Sequence, residues 1–204
     1  MPSFLTRILV VSMLVGSAFP AAAEDAKPAA TALATFAGGC FWCMQGPFDA
    51  VDGVIATTAG YTGGTKVDPT YGEVSSGDTG HAESVQVTYD PSRVGYAKLL
   101  DVYWKNVDPT DAGGQFCDRG NQYRTAIFTH DAEQQRLAEE SRAVVAKQLG
   151  KAIATQIVAA TKFYPAEDYH QSYYKKNPLR YRFYRTSCGR DRRLEEVWGK
   201  APAH

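Results

Sequence analysis

The residues of this chain that are best suited to chemistry are the two cysteines at 38–43, where the sequence reads GGCFWC. The glycine pair follows an extended-looking run and precedes a predicted helix. We therefore expect Cys40 at a helix N-terminus, where unpaired backbone N–H groups converge. That position lowers the pKa of a thiol and favours the thiolate, which attacks electrophiles and disulfides. The glycines are expected to leave the sulfur open to approach.

Two aromatic residues, Phe41 and Trp42, follow Cys40 directly. Large aromatic side chains beside a reactive cysteine suit the walls of a pocket for a small apolar group. Cys43 lies three residues after Cys40, on the same face of a helix, and can close a disulfide with it. A purely structural bridge in an exported protein is the alternative interpretation of this spacing.

The first residues have the pattern of a secretory signal. One basic residue, Arg7, precedes an apolar run over 8–19, and the small residues that follow allow cleavage after Ala23. Residues 1–23 are therefore predicted to be a signal peptide, too short to span a bilayer as an anchor. Residues 24–34, rich in Ala, Lys and Pro, predict a flexible linker. We expect the mature protein to be exported, to the periplasm of a bacterial cell.

The remaining residues, 35–204, predict one domain. Lys and Arg together number 22, as do Asp and Glu, so loss of Arg7 with the signal leaves a net charge of about −1. This balance argues against nucleic acid or an anionic membrane as the main partner. We expect a monomer with no bound cofactor, no metal ion and no membrane anchor in the mature form.

Hydrophobic periodicity indicates which elements carry these residues. Strands are predicted at 34–37, 54–62, 84–89, 125–129 and 155–160, and helices at 96–107, 131–149 and, more briefly, within 163–177. Trp104 is predicted to be in the core, and the helix at 131–149 is predicted to face it with Leu137, Val144, Val145 and Leu149. Two polar segments, 65–83 and 110–121, are predicted to be loops that line a site.

This order of elements favours an α+β domain, in which a mixed sheet carries helices mainly on one face. A doubly wound α/β sheet is the second choice, because the sequence offers few clean βαβ units. The residues after 178 mix arginine with aromatic side chains and are treated as a C-terminal tail that contains Cys188.

Several short motifs, in order along the chain, resemble those of the A-class peptide methionine sulfoxide reductases. They are GCFW at 39–42, GYTGG at 60–64, PTY at 69–71, SGDTGHAE at 76–83, QYR at 122–124 after Asp118, and AEDYHQ at 166–171. The resemblance implies a two-layer, ferredoxin-like sheet covered by helices, and a thiol-dependent reduction of methionine S-sulfoxide, free or in proteins. It also implies that Phe41 and Trp42 pack on the methyl group of the substrate.

The resemblance further assigns roles to five residues. Cys40 is the nucleophile, which becomes a sulfenic acid as methionine is released. Glu83 is the acid, kept neutral by burial so that it can protonate the departing oxygen. Tyr71 and Tyr123 hold that oxygen and stabilise its charge. Asp118 binds the substrate backbone or orders a water molecule.

A sulfenic acid at Cys40 must be resolved by a second thiol. Family members often resolve with cysteines in a glycine-rich tail, and the tail around Cys188 departs from this pattern because it is rich in arginine. Cys43, which is near Cys40 in sequence, and Cys188 are both candidates. Cys117 adjoins Asp118 and is also expected near the site. We expect a thioredoxin-like protein or another dithiol to reduce the resulting disulfide.

Other interpretations follow from the same cysteines. A thiol-disulfide exchange protein would use Cys40 and Cys43, and a non-catalytic exported module would hold two structural bridges. A zinc site that joins the cysteines to His81 and His170 is disfavoured, because only Cys40 and Cys43 have ligand-like spacing. Neither histidine is assigned a catalytic role.

Overall fold

The computed structural model describes residues 30–199, and the predicted signal peptide at 1–23 lies outside them, with 24–29 of the predicted linker. The strands are β1 (Ala32–Gly38), β2 (Val54–Thr62), β3 (Ala82–Tyr89), β4 (Gly114–Gln115), β5 (Asp118–Arg119), β6 (Thr125–Thr129), β7 (Gln156–Ala159) and β8 (Tyr164–Pro165). The helices are α1 (Trp42–Asp49), α2 (Tyr71–Ser76), α3 (Tyr96–Lys105), α4 (Ala132–Leu149), α5 (Tyr173–Lys176), α6 (Pro178–Ser187) and α7 (Arg190–Trp198). A 3-10 turn covers Asn121–Tyr123.

Six strands form one mixed sheet in the order β7-β6-β1-β3-β2-β8, and β4 and β5 form a separate hairpin. Strand β3 lies between β1 and β2 and is antiparallel to both, while β6 and β7 pair in parallel. The four central strands, β6-β1-β3-β2, have the arrangement of a ferredoxin-like βαββαβ unit. The predicted α+β class is confirmed, and the doubly wound alternative is wrong because only β6 and β7 form a parallel pair among the described residues.

The main core lies between the sheet and helices α1, α3 and α4, which carry apolar residues at helical spacing. At its centre, the ring of Phe36 on β1 stacks on Phe48 of α1 and Tyr103 of α3, with centroids 5.0 and 5.1 Å away. This packing holds α1 against β1. The turn that carries the site cysteines therefore joins two elements that are packed together in the core.

Most elements predicted from periodicity are confirmed, with five differences. Residues 110–121 contain the β4–β5 hairpin where a loop was predicted. Strand β1 begins at Ala32, so the predicted linker extends too far. Residues 71–76 form α2 where a loop was predicted, since Thr70 and Glu73 make a capping box. Val144 was predicted to face the core but is exposed, because α4 buries Ala138 and Val145 instead. The C-terminal tail is two helices, α6 and α7.

Within residues 30–199, no helix is long and apolar enough to cross a membrane.

Candidate active site

The site begins where β1 turns into α1, at Gly38 and Gly39. Gly39 has φ +77°, and a Cβ on it would lie 2.6 Å from the Cβ of Gln115. A Cβ on Gly38 would lie 2.7 Å from the sulfur of Met44. Only glycine satisfies both the backbone and the space at this turn. The glycines thus allow close packing rather than open access, and Cys40 is only 6% exposed.

A small cavity of about 70 Å³ lies beside Cys40 and collects the side chains that the sequence pointed to. It is lined by Cys40, Phe41, Trp42, Tyr71, Glu83, Asp118, Tyr123 and Tyr184. These residues come from the β1–α1 turn, α1, α2, β3, β5, the 3-10 turn and α6, most of them far apart in sequence. Seven of the eight were predicted site residues, and Tyr184 was not.

A larger groove of about 800 Å³ lies elsewhere, between α1, α3, α5 and α6. Its lining includes Pro47, Val102 and Tyr174 but none of the four cysteines. The smaller cavity is the candidate active site, because polar groups able to react converge there.

Cys40 and Cys43 are both free thiols and both buried. The backbone N–H of Cys43 donates to the carbonyl of Cys40 at 3.0 Å, and the two side chains are hydrogen-bonded to each other. Burial raises the pKa of Cys40 well above its usual value, and the neighbouring Cys43 adds to this. The pKa of Cys43 is instead lowered, to about 6, by the hydrogen bond from Cys40 and by the charges of Arg190 and Arg185.

The prediction that the helix N-terminus lowers the pKa of Cys40 is therefore wrong. Helix α1 begins at Trp42 with Phe41 as its N-cap, so Cys40 lies before the first turn, in a buried position. Desolvation of the charged form outweighs any gain from the helix end there. The thiol pair holds its negative charge on the Cys43 side, where two arginines stabilise it.

Glu83 lies at the start of β3 and is only 2% exposed. Its carboxyl oxygen accepts a hydrogen bond from the backbone N–H of Phe41 at 3.1 Å. Burial raises the pKa of Glu83 to about 8, although the bond from Phe41 acts in the opposite direction. At neutral pH, Glu83 is thus mostly a neutral acid facing the same cavity as Cys40.

The two predicted phenols also line the cavity. Tyr71 is the first residue of α2, and its backbone N–H donates to Glu167 at 2.9 Å. Burial raises the pKa of Tyr71 to about 12 and raises that of Tyr123 as well. Both hydroxyls therefore stay protonated and can donate hydrogen bonds.

The aromatic wall is held by contacts behind it. The ring of Trp42 stacks on Tyr173 with centroids 3.8 Å apart, and its indole N–H donates to Nδ1 of His170 at 3.0 Å. His81 instead accepts the backbone N–H of Gly64 at 3.1 Å, outside the cavity lining. The histidines thus support neighbouring structure, as expected for residues with no assigned catalytic role.

Asp118 lies on β5, and its carboxylate accepts a hydrogen bond from the hydroxyl of Tyr184 on α6. Burial raises the pKa of Asp118, while Tyr184 and Arg190 act in the opposite direction. Next to Asp118, Cys117 is joined to Cys188 by a disulfide. Cys188, one of the two predicted resolving cysteines, is therefore paired with Cys117, whereas Cys43 is free beside Cys40.

Two residues of the site region, Tyr184 and Arg190, were missed because residues after 178 were treated as a tail. Arg190 is 1% exposed, and its guanidinium donates to the carbonyls of Gly38 at 3.1 Å and Asn106 at 2.7 Å. The available signal was the helical spacing of aromatic and basic residues after Pro178, a good first residue for a helix.

Comparisons with known proteins agree with this architecture. Residues 32–202 match the sequence model of the family described as peptide methionine sulfoxide reductase. The peptide methionine sulfoxide reductase MsrA of Bacillus licheniformis is 55% identical over 174 residues, which cover 82% of this chain and 94% of that protein. MsrA 2 of Caulobacter vibrioides is 48% identical over 196 residues, which cover 96% of this chain and 100% of that protein.

Solved structures share the fold. Mxr1 from Saccharomyces cerevisiae in reduced form has a TM-score of 0.71 and 33% identity, covering 75% of this chain and 89% of that chain. Methionine sulfoxide reductase A of Corynebacterium diphtheriae has a TM-score of 0.71 and 36% identity, covering 76% and 78%.

The fold and the buried thiols define a thiol-dependent reductase. The chain belongs to the peptide methionine sulfoxide reductase family. It is an enzyme of the peptide-methionine (S)-S-oxide reductase class.

Proposed function

We propose that this chain reduces methionine S-sulfoxide to methionine with Cys40 as the nucleophile and Glu83 as the acid. The observation that supports these roles best is that a thiol and a neutral carboxyl line one small cavity. Oxide is a poor leaving group, so the sulfoxide oxygen must be protonated as the S–O bond breaks. A buried carboxyl with a raised pKa supplies that proton at neutral pH.

The reaction transfers two electrons from one sulfur to the other. The sulfur of Cys40 attacks the sulfoxide sulfur, passing its own proton to Cys43 through their hydrogen bond. Glu83 protonates the oxygen and the S–O bond breaks, which leaves the methionine sulfur bonded to that of Cys40 as a sulfonium. The departing hydroxide attacks the sulfur of Cys40, the S–S bond breaks, and methionine leaves with the electron pair of that bond. The hydroxyl group ends on Cys40 as a sulfenic acid.

The rest of the cavity recognises the substrate. Its volume of about 70 Å³ suits a small group. A methylsulfinyl group has three non-hydrogen atoms. Tyr71 and Tyr123 donate to its oxygen, and Phe41 and Trp42 pack against its methyl group. The same cavity accommodates the group in free methionine or in a protein.

Cys43 is proposed to resolve the sulfenic acid. Its sulfur attacks that of Cys40, water leaves, and a Cys40–Cys43 disulfide forms. This choice rests on the hydrogen bond between the two side chains and on the pairing of Cys188 with Cys117. A thioredoxin-like protein then reduces the disulfide; yeast Mxr1 has been solved in complex with Trx2.

Export is proposed from the signal pattern at 1–23 alone. Repair of oxidised methionine in an oxidising compartment is consistent with such a location. N-terminal sequencing of protein from a periplasmic fraction is expected to begin at Glu24. A cytoplasmic chain that retains Met1 would contradict the proposal.

The roles are tested with the separated S and R epimers of methionine sulfoxide and a dithiol reductant. The wild-type enzyme is expected to consume the S epimer alone, and Cys40→Ser is expected to lose turnover while melting as the wild type does. An insulin-reduction assay with the same preparations separates this activity from thiol-disulfide exchange. Turnover retained by folded Cys40→Ser would remove Cys40 from the mechanism.

A further inference from the structure

Helix α6 buries little apolar surface for its length. Of its ten residues, all within the described range, Arg185 alone is buried, and its two long aliphatic or phenyl side chains, Leu179 and Phe183, are 79% and 75% exposed. Helices in proteins are held mainly by burying an apolar face. The position of α6 over the active site therefore depends on other links.

The β4–β5 hairpin, which lies beside α6 at the cavity, has a strained tip. Phe116 has φ +57°, a left-handed conformation that is unfavourable for a bulky residue. Its ring packs beneath the guanidinium of Arg190, 4.4 Å from the ring centroid. Asp118 lies close to this strained tip. The backbone of the hairpin therefore does not by itself keep Asp118 in position.

The Cys117–Cys188 disulfide joins these two elements. Cys117 is the second residue of the hairpin tip and Cys188 is the C-cap of α6. On the cavity side of this bond, Asp118 follows Cys117, and Tyr184 lies one helical turn before Cys188. Tyr184 donates its hydroxyl hydrogen to Asp118, so a covalent link and a hydrogen bond connect the same two elements side by side.

We propose that the Cys117–Cys188 disulfide is a positioning element for the active site, which keeps Asp118 and Tyr184 together as the substrate-binding wall opposite Cys40. This proposal rests on Cys40 being the nucleophile of the proposed function. Cys40 and Glu83 stand on the β1–α1 turn and on β3, so the bond-breaking groups do not depend on the disulfide. The part of the substrate-binding wall that Asp118 and Tyr184 form does depend on the disulfide.

Cys117 is exposed, so a dithiol reductant can reach this disulfide. The reductant attacks one sulfur, forms a mixed disulfide and closes its own disulfide, which leaves Cys117 and Cys188 as two thiols. Helix α6 then loses its covalent anchor, and Asp118 and Tyr184 separate more often. Substrate affinity is thereby tied to the redox state of a surface bond, while Cys40 and Glu83 keep their places on the β1–α1 turn and β3.

The test compares single turnovers of free methionine S-sulfoxide without added reductant. Wild-type enzyme with two free thiols, confirmed by thiol counting, is compared with Cys117→Ser/Cys188→Ser and with fully reduced wild type. Both forms that lack the bond are expected to need about tenfold more substrate for half-saturation, with the maximal rate changed less than about twofold. Cys40 in both is also expected to react faster with iodoacetamide.

Two further variants show whether the effect runs through Asp118 and Tyr184. Trp198→Phe removes the indole N–H that donates to Val107 at 2.9 Å at the far end of α7, and is expected to leave half-saturation unchanged. As a single variant, Tyr184→Phe is expected to raise the substrate concentration needed for half-saturation. Combined with Cys117→Ser/Cys188→Ser, it is expected to raise that concentration no further. The proposal would be overturned if the effects of Tyr184→Phe and of the double-serine variant on half-saturation were additive. It would also be overturned if Trp198→Phe raised half-saturation as much as the double-serine variant does, because the experiment would then report only a general loss of rigidity.

The yield of methionine distinguishes positioning from electron transfer. If the disulfide only positions, fully reduced wild type and the double-serine variant each release one methionine per chain. Two from the wild type and one from the variant would show that Cys117 and Cys188 take up oxidising equivalents, and would overturn the proposal. No methionine from the wild type would instead reject the proposed function itself.

Discussion

The carboxyl oxygen of Glu83 accepts a hydrogen bond at 3.1 Å from the backbone N–H of Phe41, the residue that follows Cys40. Through this bond the proposed acid on β3 is held in register with the turn that carries the proposed nucleophile. The hydrogen bond spans 42 residues of sequence, so it depends on the pairing of β3 with β1. The sheet therefore sets the relation between acid and thiol.

Glu83→Gln is expected to slow methionine release by about 100-fold with KM changed less than about threefold, since general acids contribute about 10²–10⁴ in rate. Glutamine keeps the size of the side chain, and its carbonyl oxygen still accepts the N–H of Phe41. It cannot protonate the sulfoxide oxygen. Single-turnover kinetics measure the rate directly.

The matched control is Glu140→Gln, on the exposed side of α4, where an ion pair with Arg136 is lost without contact to the cavity. It is expected to react at the wild-type rate. An unchanged rate in Glu83→Gln would remove Glu83 from the mechanism.

The pH dependence follows from the raised pKa of Glu83. The neutral acid is the active form, so the rate of methionine release is expected to fall as pH rises through about 8. Glu83→Gln is expected to lack this fall. Between pH 4.5, the ordinary pKa of the group, and about 8, Glu83 binds a proton in the folded chain but not in the unfolded chain. The contribution of Glu83 to stability therefore falls as pH rises across this range.

The single-turnover rate should be measured from pH 6 to 10 with circular dichroism at each pH, so that unfolding is not mistaken for loss of the acid. A fall of the same midpoint in Glu83→Gln would assign it to another group, such as a cysteine.

Cys43→Ser tests the proposed resolving thiol. One methionine per chain should still be released, although more slowly because the proposed proton acceptor of Cys40 is also lost, and the sulfenic acid of Cys40 should persist and be trapped by dimedone. Turnover with a thioredoxin-like reductant is expected to fall at least about tenfold, since thiolate attack on the sulfenic sulfur is lost. Cys188→Ser is the comparison, made at saturating substrate because this variant also loses the Cys117–Cys188 disulfide. Sulfenic acid trapped by dimedone in Cys188→Ser but not in Cys43→Ser would make Cys188 the resolving cysteine.

The sequence predicts where the site residues lie better than it predicts their pKa values. Cys40, Glu83 and Tyr71 lie in short motifs, and their convergence follows once the strands are paired. The pKa of Cys40 could not be predicted, because it depends on burial by side chains from distant elements. The sequence also left open whether Cys43 or Cys188 lies free near Cys40, since a disulfide needs its two Cα atoms brought together by the fold.

The residues after 178 also have contacts that could not be predicted from the sequence. Arginine in a polar stretch normally predicts solvent exposure. Arg190 is buried because carbonyls from two distant turns, at Gly38 and Asn106, converge on it. Such a partnership between remote backbone groups leaves no local pattern in the sequence.

Arg190→Met is expected to lower the free energy of unfolding by about 3 kcal/mol, because the buried carbonyls of Gly38 and Asn106 lose their donor. Methionine keeps the apolar stem, so the loss reports the guanidinium rather than its packing. Arg192→Met, two residues further along α7 with an exposed side chain, is the control and is expected to change stability by less than about 0.5 kcal/mol. Urea unfolding of both variants under one redox condition measures the difference, and equal midpoints would contradict it. Because Gly38 immediately precedes the catalytic turn, the folded Arg190→Met enzyme should also have a lower kcat/KM, whereas Arg192→Met should not.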